Sequence, residues 1–206
     1  MGDCGGETRP HEWASRSGEL RLLAALGSVD RHAFLWVVHH RISLINPFFK
    51  LLTYLATGGT LWVVLALILA RRTQRPLVPI ELLVWGADGI ASLLKVVTDR
   101  PRPFVSIPDV SVLIAHPSSG SFPSAHATTA FAGAALLGWP WPRGRIAFAA
   151  LAILIAFSRV YLGVHYPSDV LGGAAIGAAF AAAVIATVQR TRFRDRFARL
   201  RRIGTA

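Results

Sequence analysis

The 206-residue sequence contains little cysteine and few charged residues. Its single cysteine, Cys4, excludes an intramolecular disulfide bond and a thiolate metal site. Charged residues make up 16% of the chain, whereas about a quarter is usual in a soluble domain. With 53% hydrophobic residues, the chain is expected to form one domain embedded in a lipid bilayer.

The first thirty residues contain no segment that resembles a secretory signal peptide, because charges interrupt every apolar run. We therefore expect membrane insertion to depend on internal hydrophobic segments. Residues 1–19 are polar and glycine-rich, which predicts a mobile N-terminus. Residues 20–45 mix apolar residues with Arg and His, which predicts an amphipathic helix or helix pair at the membrane interface. Whether this segment lies on the membrane or crosses it stays open.

Later apolar segments predict spanning helices, because backbone polar groups must be paired inside hydrocarbon. They cover residues 47–70, 77–97, 125–139, 144–164 and 168–189. The sequence therefore predicts an all-α fold: an integral membrane bundle of about five spanning helices, preceded by the interfacial helix. Residues 20–190 form the membrane-embedded domain, and residues 191–206 form a basic cytoplasmic tail. The pair Gly173 and Gly177 predicts close helix packing inside the bundle, with a homodimer contact as the alternative.

Net positive charge is confined to one side of this predicted bundle. The segments 71–76, 140–145 and 189–206 carry +3, +2 and +6, which together equal the net charge of +11. The segments 1–46 and 98–124, on the other side, are neutral. The excess of Arg in short loops predicts a cytoplasmic C-terminus and an extracytoplasmic 98–124 loop. Orientation of the protein in the membrane and contact with anionic lipid account for the basic tail, so we expect no nucleic-acid partner.

Polar residues cluster at three predicted helix ends, all on the neutral side. The clusters are KVVTDRPRP (95–103), SFPSAH (121–126) and SRVYLGVHYPSD (158–169). Taken alone, Lys95 could be a lysine that reaches the membrane surface, and Ser124 could be a helix N-cap. Arg159 is harder to explain in this way, because a charge inside an apolar run is costly and indicates function.

The convergence of these clusters on one membrane face indicates phosphoryl transfer. Permanent cations can neutralise a phosphate group and the charge that develops on it, and backbone N–H groups at a helix start add an anion site. His165 and Asp169 are four residues apart, so the carboxylate can reach the imidazole. An imidazole held in this way can attack phosphorus, and a second imidazole can protonate the departing oxygen. This chemistry needs no metal, and the scattered carboxylates indicate no metal site.

The three clusters resemble the motifs of the type 2 phosphatidic acid phosphatase superfamily, PAP2. The family pattern is Lys-x6-Arg-Pro, Pro-Ser-Gly-His and Ser-Arg-x5-His-x3-Asp, and the sequence departs from it once, with Ala125 in place of glycine. The resemblance implies a bacterial membrane lipid phosphatase that needs no cofactor. It implies that His165 is the nucleophile and forms a phosphohistidine, that Asp169 orients it, and that His126 is the general acid. The phosphate-binding residues implied in the same way are Lys95, Arg102, Arg159, Ser124 and, through its backbone, Ala125.

The expected substrate is a phosphorylated lipid in the bilayer. Polyprenyl diphosphate and a polyprenyl-phosphoryl sugar phosphate are favoured, and phosphatidic acid and phosphatidylglycerol phosphate are the alternatives. A vanadium-dependent haloperoxidase shares the anion pocket, but such enzymes resemble soluble bundles. A transporter or lipid-binding scaffold without catalysis is disfavoured, because both His126 and His165 are present.

Overall fold

The computed structural model describes the backbone of residues 10–73 and 80–203, and within these ranges every regular element is helical. The α-helices are α1 (Pro10–His39), α2 (Asn46–Leu55), α3 (Thr60–Thr73), α4 (Ile80–Thr98), α5 (Pro103–Ser106), α6 (Ala125–Gly138), α7 (Arg145–Tyr161) and α8 (Pro167–Ile203). This confirms the predicted all-α class. The predictions made for residues 1–9, 74–79 and 204–206 lie outside the described residues.

The first predicted span, 47–70, is not one straight helix. It is divided into α2 and α3, whose axes are bent by 56°. Gly58 and Gly59 have φ angles of +60° and +76°, a region that glycine enters without the steric penalty of a side chain. The prediction of a continuous helix was wrong here because the apolar run passes through two consecutive glycines.

By length and composition, two helical segments of the described chain can cross a bilayer: Pro142–Tyr161 and Pro167–Thr191. The bent α2–α3 pair is a third if it counts as one span. Helix α4 carries three charged residues, and α6 has only 14 residues. These two helices explain the difference from the predicted count, and the five-span bundle stays a prediction.

Helix α6 lies at the centre of the bundle, in contact with α4, α7 and α8. Its small residues allow close approach. A methyl group added at Gly133 would lie 2.5 Å from the Trp62 ring, and one at Gly177 would collide with the backbone of Thr128. Gly173 meets the same helix at the Ser124 carbonyl. These contacts confirm that the glycine pair of α8 packs within the bundle.

Helix α1 packs beside α7 and α8 through its C-terminal half. Phe34 and Val38 are buried in a cluster with Val160 and Tyr166, and the Phe34 and Tyr166 rings lie 5.6 Å apart. The helix begins at Pro10, inside the segment predicted to be a mobile terminus. At the other end of the chain, α8 runs past the predicted domain boundary at 190 to Ile203.

Candidate active site

His165 lies in the tight connection between α7 and α8, with 2% of its surface exposed. Gly163 forms the turn with a φ of +88°, and Pro167 opens α8, where the fixed φ of proline suits the first helical turn. The Nδ1 atom lies 3.4 Å from Oδ2 of Asp169. On the other side of the ring, Nε2 lies 3.2 Å from Nη1 of Arg102. The imidazole therefore stands between a carboxylate and a guanidinium.

The His165 imidazole is neutral at physiological pH. Burial lowers its pKa to about 3; Asp169 opposes this effect, whereas Arg159 and Arg102 add to it. A neutral ring keeps a lone pair on one nitrogen, which a nucleophile requires.

Asp169 is completely buried, and both of its oxygens accept hydrogen bonds. Oδ2 accepts from the Ser121 hydroxyl and, at 2.8 Å, from the Tyr166 backbone N–H. Oδ1 accepts from Nη1 of Arg100 at 2.6 Å. Because several donors hold this carboxylate, it has one orientation. In that orientation its Oδ2 atom faces His165.

The predicted cations Lys95, Arg102 and Arg159 are all buried around the histidine. Lys95 Nζ donates to the Gly120 carbonyl at 2.8 Å. Arg102 donates to the carbonyls of Ser119 at 2.8 Å and Val164 at 2.9 Å. Arg159 donates to the Thr53 hydroxyl. Carbonyls and hydroxyls rather than carboxylates hold these three side chains, so their positive charge stays available to an anion.

Some buried polar atoms of this site lack a hydrogen-bond partner within the described part of the chain. They are Oγ of Ser124, Nε of Arg159 and Nδ1 of His165. Buried polar groups are nearly always paired, and unpaired ones call for a physical explanation. Two of these atoms are donors beside a cluster of cations, which is the arrangement that an oxyanion completes. Ser124 also precedes α6, so the free N–H groups of the first turn, including that of Ala125, adjoin the same place.

His126 lies in the first turn of α6, and its Nε2 is 3.3 Å from the Thr53 carbonyl. It lines a cavity of about 860 Å³ together with Lys95 and Ala125. Asp88 and Ser92 line the cavity from α4, two turns and one turn before Lys95, respectively. The cavity is large enough for a hydrated headgroup beside Lys95.

The structure thus brings all eight predicted site residues to one end of the bundle, and it adds partners that motif spacing does not indicate. Thr53 contacts Arg159 and His126. Arg100 binds Asp169 and also Asp30, a residue of α1. Arg100 stands inside the first motif, which is a usable signal, but nothing in the sequence marks Asp30 or Thr53.

No group of three or more His, Cys, Asp or Glu side chains in the described residues is placed to hold a metal ion. The metal-independent mechanism stays a prediction.

A family model described as the PAP2 superfamily matches residues 77–193. The match covers more than half of the chain, and the chain belongs to this superfamily. The resemblance inferred from the three clusters is therefore confirmed.

Named relatives agree with this assignment. The chain is 41% identical over 136 residues to the decaprenylphosphoryl-5-phosphoribose phosphatase of Mycobacterium tuberculosis, covering 60% of this chain and 69% of the relative. It is 43% identical over 97 residues to the lipid A 1-phosphatase of Rhizobium johnstonii, covering 45% of this chain. The chain spans only 39% of the length of that second protein.

A solved structure shares the fold. The transmembrane PAP2-type phosphatidylglycerolphosphate phosphatase of Bacillus subtilis aligns with a TM-score of 0.62 and 28% identity, over 81% of this chain and 87% of that one. Family and relatives agree with the predicted enzyme class, a phosphoric-ester hydrolase. With its apolar helices and its likeness to a transmembrane phosphatase, the protein is a membrane protein.

Proposed function

We propose that the protein is a membrane lipid phosphatase that hydrolyses a phosphomonoester or diphosphate on a lipid carrier through a phosphohistidine at His165. The observation that carries the proposal is a buried imidazole between Asp169 and Arg102, within a cluster of buried cations. The donors of Ser124 and Arg159, which have no partner within the described residues, point to the same ligand, an oxyanion.

In the first step, Nε2 of His165 attacks phosphorus, because Nδ1 faces the Asp169 carboxylate. A new N–P bond forms and the bond from phosphorus to the leaving oxygen breaks. His126 acts as the general acid and gives a proton to that oxygen, so it must enter this step protonated. Lys95, Arg102 and Arg159 neutralise the charge on the three remaining phosphate oxygens.

In the second step, water attacks the phosphohistidine and His126 takes the proton of that water. The N–P bond breaks, inorganic phosphate leaves and neutral His165 is restored. Each proton that His126 loses in the first step is thus regained in the second. The balance requires no metal ion or organic cofactor.

For the lipid, we favour polyprenyl diphosphate or a polyprenyl-phosphoryl sugar phosphate. The name of the decaprenylphosphoryl-5-phosphoribose phosphatase of Mycobacterium tuberculosis indicates that this relative acts on such a lipid carrier. The cavity with Asp88 and Ser92 offers hydrogen-bond partners to a hydroxyl-bearing headgroup. Phosphatidylglycerol phosphate and phosphatidic acid form the alternative class, favoured by the structural likeness to a phosphatidylglycerolphosphate phosphatase. A haloperoxidase is the remote alternative, and vanadate should inhibit this protein rather than support halide oxidation.

The active site faces the extracytoplasmic side in this proposal, and the C-terminus is cytoplasmic. The distribution of charge supports this orientation, because the net charge of +11 lies in segments on the opposite side of the predicted bundle. A homodimer stays a prediction.

The test is a phosphate-release panel in detergent. It compares polyprenyl diphosphate, polyprenyl-phosphoryl pentose phosphate, phosphatidic acid and phosphatidylglycerol phosphate, with and without excess EDTA. We expect turnover of the polyprenyl substrates with EDTA present and none by His165→Ala, while that variant remains folded in the membrane. In sealed right-side-out vesicles, substrate added outside should be hydrolysed. Turnover by His165→Ala, or a strict metal requirement, would refute the mechanism.

A further inference from the structure

Asp30 of α1 is a buried carboxylate, 8% exposed, at the start of α8. Its Oδ1 accepts a hydrogen bond from the Ser168 backbone N–H at 2.9 Å, and its Oδ2 accepts one from the Ser168 hydroxyl at 2.5 Å. Oδ2 also accepts from Nη2 of Arg100 at 2.7 Å. One side chain of the N-terminal helix therefore holds both the first turn of α8 and the loop after α4.

Arg100 joins this carboxylate to the one beside the nucleophile. While Nη2 binds Asp30, Nη1 binds Asp169 at 2.6 Å and the Ser168 hydroxyl at 2.7 Å. The guanidinium lies 4.5 Å from the Tyr166 ring centroid, over its face. Burial lowers the pKa of Arg100, but hydrogen bonds and attraction from Asp30 and Asp169 outweigh this and raise it. The cation is thus shared between two carboxylates.

We propose that Asp30 is a positioning residue for phosphoryl transfer, which acts through Arg100 and Asp169 on the His165 imidazole. The inference rests on the proposed function, in which His165 is the nucleophile. Asp30 balances the Arg100 charge, so that Asp169 keeps its own negative charge for the imidazole. Without Asp30, the guanidinium is attracted to Asp169 alone and competes with His165 for it.

The geometry makes His165 sensitive to this competition. The Nδ1–Oδ2 separation of 3.4 Å is longer than a normal hydrogen bond, so a small displacement of Asp169 decides whether the bond forms. Arg100 binds the opposite oxygen of the same carboxylate. Whatever fixes Arg100 therefore fixes the orientation of Asp169, and the carboxylate in turn selects the imidazole rotamer and tautomer.

Asp30 could instead serve only as a cap for α8. The substitution Asp30→Asn separates the two roles, because Asn caps a helix about as well as Asp but carries no charge. Its side-chain oxygen can still accept from the Ser168 N–H. A matched control is Asp109→Asn, which makes the same change at an exposed residue of the loop between α5 and α6. Its left-handed φ of +62° is one that Asn tolerates.

The experiment measures p-nitrophenyl phosphate hydrolysis by the full-length protein in detergent, so that the choice of lipid does not enter. For Asp30→Asn we expect kcat to fall about tenfold or more. KM should change less than about twofold, since Asp30 does not touch phosphate. Because the substitution weakens a buried ion pair, the Tm should fall, but the variant should stay folded at the assay temperature. Asp109→Asn should match wild type. An unchanged kcat, an effect on KM alone, or a lower Tm that accounts for the lost activity would overturn the inference.

A double-mutant cycle tests the route through Arg100. In an Arg100→Gln background, adding Asp30→Asn should change kcat less than about twofold, because the charge that Asp30 balances is gone. Fully additive losses would overturn the inference. A wild-type rate equal to that of His165→Ala would refute the proposed function and this inference with it. An active wild type with a normal Asp30→Asn variant would refute the inference alone.

Discussion

The two sides of the His165 imidazole differ in how completely their polar groups are paired. On the carboxylate side, Asp169 accepts from Ser121, Tyr166 and Arg100, and Asp30 holds Arg100 in turn. On the cation side, Ser124 Oγ and Arg159 Nε have no partner among the described residues. Apart from Nδ1 of His165, which lies 3.4 Å from Asp169 without a hydrogen bond among the described residues, the first side is paired without a ligand, which suits orientation of a nucleophile. The second side is incomplete, which suits binding of an anion.

The largest expected effect comes from a substitution on the carboxylate side. Asp169→Asn keeps the shape of the side chain but removes the charge that stabilises the imidazole and fixes its tautomer. We expect kcat to fall about a thousandfold or more, by analogy with other carboxylate-oriented catalytic histidines. KM for p-nitrophenyl phosphate should change little, because Asp169 does not bind phosphate in the proposed mechanism. A steady-state assay of p-nitrophenyl phosphate hydrolysis measures both values, and a loss confined to KM would contradict the division between the two sides.

Substitutions of two buried serines test the carboxylate side and the cation side of the imidazole separately. Ser121→Ala removes a hydrogen bond to Asp169, and we expect it to destabilise the fold by about 1–3 kcal/mol and to lower kcat. Ser124→Ala removes a hydroxyl that has no partner in the described chain, so stability should be kept while KM rises about tenfold. Thermal unfolding in detergent and KM measurements check the pair. The opposite pattern would mean that the pairing seen here does not reflect function.

The smallest expected effect is a pH dependence of stability that comes from the imidazole itself. The folded protein lowers the pKa of His165 to about 3 from 6.5. Below about pH 6.5 the unfolded chain binds a proton that the folded chain excludes, so stability falls as the pH decreases toward 3. We expect the Tm of wild type to drop about 3 °C per pH unit more steeply than that of His165→Asn between pH 6 and 5. Equal slopes would indicate that this imidazole is not held neutral.

Much of the fold follows from local patterns. Helix α6 begins at Ala125 as predicted, directly after the cap position Ser124, and α8 begins one residue before its predicted start because Pro167 opens it. The bend between α2 and α3 was missed, because hydropathy is insensitive to backbone angles at Gly58. The extent of α1 was missed as well, because residues 10–19 have no apolar periodicity.

The candidate site was predictable where its contacts are local. His165 lies in the turn just before α8 and Asp169 lies in the first turn of that helix, so their short separation in sequence brings them together. The contacts of Asp30 and Thr53 join residues between 70 and 138 positions apart, which only the packing of helices determines. Asp30 lies in a polar helix and Thr53 in an apolar one, and neither belongs to a sequence pattern that predicts its contacts.

The break between α2 and α3 also assigns a tautomer to His126. Helix α2 ends at Leu55, so the Thr53 carbonyl accepts from side chains, those of Thr57 and His126. A carbonyl can only accept, so the His126 nitrogen that faces it, Nε2, carries a hydrogen. The other nitrogen, Nδ1, is then the atom that exchanges a proton with the substrate in the proposed mechanism. The break in the helix thus selects which ring nitrogen of His126 is reactive.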